Sequence, residues 1–241
     1  MKKKLGTVTL LGIDCVDIER LILVSEICQQ NFDFAGVKLL TSIESSNKNV
    51  ISIKPITSTE GYSRFIINEL NKYVDTDHVL IIQYDGFILN SDAWSDEFLK
   101  YDYIGAPWLV ADWSVKNFAF PKELVGKLVV GNGGFSLRSK KFLITCARLS
   151  KDNVFKKYHP EDTALCVWNR ELMENNGISF APVEIAKQFS FESENDEHNR
   201  WNGQFGFHGF QWTDITNWSN KHPEYEIDIK QNTIRHKNLI K

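Results

Sequence analysis

No apolar run in these 241 residues approaches the roughly 20 that a membrane span needs, so the sequence predicts no transmembrane segment. No Cys-x-x-Cys pair occurs either: Cys15, Cys28, Cys146 and Cys166 lie far apart. That spacing excludes a zinc knuckle and a dithiol redox motif, and the apolar settings read as small buried hydrophobes of a reducing compartment. Positive charge is not in excess, since 28 Lys and Arg against 31 Asp and Glu leave a net charge of −3. A phosphate-backbone binder normally carries a basic face, so nucleic acid is not an expected partner. The glycines match neither the dinucleotide nor the P-loop spacing, and no linker, repeat or low-complexity stretch divides the chain. Met1-Lys-Lys-Lys-Leu5 is basic, but Gly12, Asp14 and Asp17 interrupt the apolar stretch after it and deny it a signal-peptide core. The expected location is cytoplasmic, with at most weak contact between the three lysines and an anionic membrane surface.

What is present is a core. Apolar residues make up 42% of the chain, enough to fold without disulfide or metal staples. Val8–Ile13 reads as a buried strand, Ile18–Asn31 as a helix, Val37–Thr41 and Val50–Lys54 as strands, and Thr59–Tyr73 as a helix. His78-Val-Leu-Ile-Ile-Gln83 is the clearest strand of all. This alternation predicts parallel pairing with right-handed crossovers, hence an α/β fold. Ligands of such sheets collect beyond the carboxyl ends of the strands, which brings Gly12–Asp14 and Tyr84–Phe87 to one edge. Beyond about residue 90, short strands, aromatics and glycines dominate, over Tyr103–Trp108 and Leu128–Arg138. Helices are expected over Lys140–Leu149 and Asp162–Glu174. The whole chain, 1–241, reads as one domain: a nucleotide-binding half over about 1–90, an acceptor-facing half over about 91–215, and a polar tail over about 216–241.

Four segments carry chemistry. In Tyr84-Asp85-Gly86 a carboxylate leaves a buried strand beside a glycine, where a backbone and a ligand can approach closely. In Gly131-Asn-Gly-Gly-Phe-Ser-Leu-Arg138 paired glycines form a turn or admit a bulky ligand. In His159-Pro-Glu-Asp162 an acidic pair at a helix start either answers the helix dipole or serves an acceptor hydroxyl as a base. In Gln204-Phe-Gly-Phe-His-Gly-Phe-Gln211 a histidine sits in an apolar wall, as a structural residue or as a neutral imidazole ligand.

In order, Leu80-Ile-Ile-Gln-Tyr-Asp-Gly-Phe87, Tyr101-Asp-Tyr-Ile-Gly-Ala-Pro-Trp108, Gly131-Asn-Gly-Gly-Phe-Ser-Leu-Arg-Ser139, Pro160-Glu-Asp162 and Phe205-Gly-Phe-His208 resemble the bacterial family catalogued as a domain of unknown function, DUF5672, which is regarded as glycosyltransferase-like. More distantly the chain resembles GT-A glycosyltransferases at large. The resemblance covers roughly residues 60 to 210 and implies a GT-A-like, Rossmann-like fold: a mixed, mainly parallel sheet flanked by helices. It implies a hexosyltransferase type of activity moving a sugar from a UDP- or GDP-linked donor to a glycan or other hydroxyl acceptor, such as a bacterial surface polysaccharide. Asp85 and His208 would then bind Mn²⁺ or Mg²⁺. Asp14, Gln83, Asn132, Gly133 and Gly134 would lie along the nucleotide-sugar, and Glu161 or Asp162 would be the base. A base acting directly through the acceptor oxygen implies inversion at the anomeric carbon. The usual Asp-x-Asp stands here as Gln83-Tyr84-Asp85, so its first carboxylate is missing.

Arg64 offers a fork of donors to a diphosphate or to a surface carboxylate. Trp108, like Trp113 and Trp212, is placed to stack on a sugar ring or to pack in the core. The competing reading is a non-catalytic carbohydrate-binding module with a degenerate GT-A fold, which the missing carboxylate favours. A metal-dependent phosphodiesterase or nucleotidyltransferase would want more clustered carboxylates than the chain shows.

Overall fold

Segments rich in leucine, isoleucine and valine form the centre of the molecule. The computed structural model describes residues 1–155, 157–192 and 200–239. Residues 193–199 of the expected acceptor-facing half and the last two residues of the expected tail lie outside the described residues. β1 (Lys3–Ile13) leads through α1 (Ile18–Gln29) to β2 (Phe32–Thr41), β3 (Val50–Ser52), α2 (Thr59–Asn68) and β4 (His78–Ile82). Asp17 and Ser58 cap the two helices through bonds from Glu19 N and Gly61 N, relieving amides that would otherwise lack partners. β1 and β2 begin earlier than the apolar pattern predicts. Their pairing continues through Lys3↔Phe32 and Leu5↔Phe34, where most of β1 is exposed and lysines mask the strand signal. The helix expected over Thr59–Tyr73 ends at Asn68, and a 3₁₀ turn over Leu70–Lys72 carries the chain on.

The remaining elements come in two groups. β5 (Tyr103–Ile104), β6 (Pro107–Leu109), α3 (Asp112–Phe118), β7 (Leu128–Val130), β8 (Ser136–Ser139) and α4 (Lys140–Lys151) are first. Then come α5 (Glu161–Thr163), α6 (Arg170–Asn175), α7 (Val183–Phe189), β9 (Ser190–Phe191), β10 (Gly206–Phe207), α8 (Thr216–Lys221), β11 (Tyr225–Asp228) and β12 (Thr233–His236). The six-stranded sheet runs β3-β2-β1-β4-β8-β5. Its first four strands are parallel, while β8 is antiparallel to β4 and β5 to β8. The architecture is therefore the expected α/β one, a mixed and mainly parallel sheet with helices on its faces.

Both faces of the sheet are covered, which is why its strands read as continuous apolar runs. Val8 and Leu10 of β1 and Leu80 and Ile82 of β4 enter one core with α1 and α7. Leu11 and Ile13 of β1 and Val79 and Ile81 of β4 enter the other with α2 and α4. Each such side chain contributes about 1.5–3 kcal/mol by leaving water.

The two stretches expected to hold short strands each contain two. Tyr103–Trp108 breaks into β5 and β6, and Leu128–Arg138 into β7 and β8. β6 and β7 leave the main sheet as their own antiparallel pair. The break sits where backbones crowd: a Cβ on Gly105 would lie 2.0 Å from Gly131 O. The helix expected over Asp162–Glu174 is also interrupted, by a π-helical turn over Ala164–Trp168 between α5 and α6. Such wide turns often occur beside functional residues. β11 and β12 form an antiparallel hairpin tied to α1 by Gln30 Nε2 donating to Tyr225 Oη at 2.8 Å. Polar composition concealed this hairpin, because only Tyr225, Thr233 and Ile234 of its strands are buried. Among the described residues no helix is long and apolar enough to cross a membrane.

Candidate functional site

β1 and β4 end side by side, with Gly12 opposite Ile82, so their outgoing loops share one edge of the sheet. After β4 the chain makes a tight turn in which Gln83 and Gly86 exchange backbone hydrogen bonds, both at 3.0 Å. Asp85 lies in this turn and is 8% exposed. Its carbonyl accepts from Gly209 N at 2.7 Å, while its Oδ1 is buried without a hydrogen-bond partner among the described residues. A bare carboxylate oxygen there is costly unless something positive meets it.

His208 supplies the nearest charge. It follows β10 and places Nε2 3.6 Å from Asp85 Oδ1 and 3.1 Å from Gln83 Oε1. Its Nδ1 lies 2.7 Å from Glu192 Oε1. Gln83 is oriented in turn by donating Nε2–H to Tyr62 Oη of α2 at 2.9 Å. Burial works against an imidazolium here, but Glu192 and then Asp85 outweigh it and raise His208 to about 9. Burial, followed by the Glu161 carboxylate, pushes Tyr62 up and keeps it a neutral phenol.

The Gly131–Gly134 loop, between β7 and β8, packs directly on this histidine. Asn132 takes φ 69°, and its Oδ1 accepts from Gly134 N at 2.8 Å and Phe135 N at 3.2 Å. The strained backbone is thus held by its own side chain. A Cβ on Gly134 would fall 2.1 Å from the His208 ring, and one on Gly133 2.2 Å from Glu161 Oε1. Gly134→Ala should therefore displace His208 from Glu192 and lower stability by about 1–3 kcal/mol. Thermal unfolding measures the loss, and the histidine NMR signals report the displaced ring.

The acidic pair divides into two different groups. Glu161 is buried and paired with the fully buried Arg138 of β8, whose Nη2 donates to Oε1 at 3.1 Å. Asp162 accepts from Gly133 N at 3.0 Å and Thr163 N at 2.7 Å and lines an open cavity. Burial, then the charges of Glu161 and Glu192, push the Asp162 carboxyl up to about 7 against those two hydrogen bonds. A carboxyl half-ionised near neutrality is suited to proton transfer.

The cavity, about 340 Å³, lies between α3, α5 and the segment after His208. Trp108 forms one wall and donates Nε1–H to Glu192 Oε2 at 2.7 Å. Glu192 thus spans His208 and Trp108 with its two oxygens. Nothing in its sequence context, Phe191-Glu-Ser193, marks it out, and only the β9–β10 pairing brings it to His208.

The other expected residues separate. Asp14 reaches the shared edge, but its oxygens already accept from Val16 N, Asp17 N and Arg20 Nε. Arg20 in turn stacks 3.6 Å over the Tyr84 ring, whose hydroxyl accepts from Asn232. Arg64 is not brought to the cluster. It lies exposed on α2, ion-paired with Glu60 at 2.9 Å and set over the Tyr158 ring, the surface role that sequence left open. Arg20, Tyr62, Arg138 and Glu192 are the site neighbours that motif reading passes over.

Among the described residues no three His, Cys, Asp or Glu side chains are arranged around one point as metal ligands. The unpartnered Asp85 Oδ1, the His208 Nε2 beside it and Gln83 Oε1 nevertheless converge. Carboxylate, imidazole and amide oxygen are a donor set that Mn²⁺ or Mg²⁺ accepts, the remaining positions falling to diphosphate oxygens and water. The residues fit such an ion as a partial shell once His208 gives up its Nε2 proton on the ion's arrival, Nδ1–H staying on Glu192.

The profile of a family described as "Protein of unknown function (DUF5672)" matches residues 44–208. No curated protein matches the sequence. Among solved structures, the chain is similar to the bifunctional IspDF from Campylobacter jejuni at 12% identity and TM-score 0.42, over 72% of this chain and 48% of that one. It is similar to the apo-form glycosyltransferase GlyE of Streptococcus pneumoniae TIGR4 at 15% identity and TM-score 0.43, over 77% and 46%. It is also similar to the galactosyltransferase LgtC, solved with donor and acceptor sugar analogues, at 13% identity and TM-score 0.47, over 89% and 93%. The chain spans about half the length of the first two of these proteins.

Proposed function

The chain belongs to the DUF5672 family, and on that premise we propose that it is a nucleotide-sugar-dependent glycosyltransferase of the GT-A type. The observation that carries the reading is the unpartnered Asp85 Oδ1 beside His208, joined through the Gly133–Gly134 backbone to Asp162. The first group is suited to a cation-bound diphosphate, the last to a hydroxyl.

In this reading Asp85, His208 and Gln83 hold Mn²⁺ or Mg²⁺, which when bound neutralises charge on the departing nucleoside diphosphate. The UDP- or GDP-linked donor lies along the Asp14–Tyr84 edge, with its sugar against Asn132, Gly133 and Gly134. Asp162 takes the proton of an acceptor hydroxyl as its oxygen bonds to the anomeric carbon and the bond to the diphosphate oxygen breaks. One such displacement inverts the configuration. Glu161 is less suited to this step because Arg138 already engages it. Its pairing holds the loop against which Asp162 is aligned.

The direct test is calorimetric titration of a UDP- and GDP-sugar panel with Mn²⁺ present, where binding of at least one donor is expected. Absence of any binding would remove the proposal. Asp162→Asn should lower kcat by about 10²–10⁴-fold with little change in donor affinity. Wild-type kcat/KM should rise with pH and level off above about 7, as Asp162 ionises. The stability effect has the opposite sign. The folded state holds this proton more tightly than the unfolded chain, so stability falls as pH rises from about 4 through 7. Asp162→Asn should relieve that cost, and its thermal midpoint should exceed the wild type's above pH 7.

One observation favours a second reading, a carbohydrate-binding module. Gln83 stands where a second carboxylate is usual, and its amide is committed to Tyr62 and His208. Under that reading Asp85 can be replaced without loss of glycan binding.

A further inference from the structure

The cavity beside Asp162 has a chemical character of its own. Trp108 continues through Phe120 at 6.2 Å and Phe118 at 6.4 Å to Trp113 at 5.8 Å, centroid to centroid. Trp212 also lines the cavity, packed against Gly209, whose φ of 87° turns the chain just after His208. Trp113, Phe118 and Trp212 are all at least 36% exposed. Large aromatic side chains left in water around a single concavity mark a binding surface.

The polar groups narrow the ligand. Asp162 and Glu192 are the charged residues among the described residues lining this cavity, and no Lys, Arg or His accompanies them. Carboxylates accept hydrogen bonds from hydroxyls and repel anions, while indole faces pack against C–H surfaces. We infer that this cavity is the acceptor subsite and that it takes a neutral hexopyranoside, with one ring face on Trp113 and its hydroxyls toward Asp162. A space of about 340 Å³ lies at the small end of ligand pockets, which suits one sugar unit rather than a long glycan. Phosphorylated acceptors and uronic acids are disfavoured by charge, and simple alkyl alcohols offer the indole face no sugar ring to stack on.

This inference rests on the glycosyltransferase reading, and the test separates the two. Donor binding is measured first on the full chain with Mn²⁺, and a chain that binds no nucleotide-sugar loses both. With a donor in hand, methyl glucoside, methyl galactoside and methyl mannoside are tried as acceptors against methyl glucuronide and octanol. Transfer to at least one neutral hexoside is expected, with the glucuronide and octanol at least about tenfold poorer in kcat/KM. Trp113→Ala should raise the acceptor KM by roughly three- to tenfold with a smaller change in kcat, and Trp113→Phe should restore most of it. Trp113 is 42% exposed, so neither variant threatens the fold. Donor binding without transfer to any neutral hexoside, equal use of the glucuronide or octanol, or an unchanged KM in Trp113→Ala would each overturn the assignment.

Discussion

Replacing Arg138 by methionine is expected to lower the unfolding free energy by about 3–5 kcal/mol, the usual result of removing one partner from a buried ion pair. Arg138 has no exposed surface. Its guanidinium donates to Glu161 Oε1, Gly133 O and Ser136 Oγ and lies 5.2 Å from the Tyr103 ring centroid. Methionine fills much of the volume but leaves the Glu161 carboxylate buried with no counter-charge, which is the dominant cost. In a chain of this length each kcal/mol moves the thermal midpoint by roughly 2–4 °C, so a drop of about 6–20 °C should appear in calorimetry. Adding Glu161→Gln should recover most of it, since a neutral amide needs no cation. A single variant within about 1 kcal/mol of wild type would show that Glu161 finds another partner.

The second large effect concerns ligand chemistry. Asp85→Ala is expected to abolish Mn²⁺ binding and to reduce transfer by about 10³-fold or more, several kcal/mol of barrier. The loss is greater than for a typical surface carboxylate because the shell is thin. Gln83 contributes only a neutral oxygen, so Asp85 is the one anionic ligand in the set with Gln83 and His208. Mn²⁺ binding followed by electron paramagnetic resonance and transfer followed by product analysis should fail together. If glycan binding persists unchanged in this variant while the wild type shows no transfer, the carbohydrate-binding module is the better description.

Much of this arrangement is legible in sequence. The apolar runs of β1 and β4 are what a sheet covered on both faces requires, so the strand type follows from them directly. Asp85 is addressed by a strand end, the Gly133–Gly134 pair by its place between β-rich pieces and His208 by its apolar setting and the family resemblance, and the fold brings all of them together. Glu161 and Asp162 are different. Adjacent in sequence and alike in chemistry, they are distinguishable only through space, because Arg138 meets one and the cavity meets the other.

Glu192 and the aromatic wall make the same point. A glutamate following a two-residue strand has no local signature, yet it holds both His208 and Trp108. Arg64 carries a plausible local signature and lies outside the cluster. Sequence alone determined what depends on side-chain period and chain direction: the α/β class, the strand order along the chain, and the edge where Asp85 leaves β4. Tertiary structure alone decided what depends on distances between remote segments. Which carboxylate is neutralised, which is left to meet a substrate, and what faces Asp85 are set by contacts that cross 23 residues in one case and more than a hundred in another. Local patterning carries no term for such pairings.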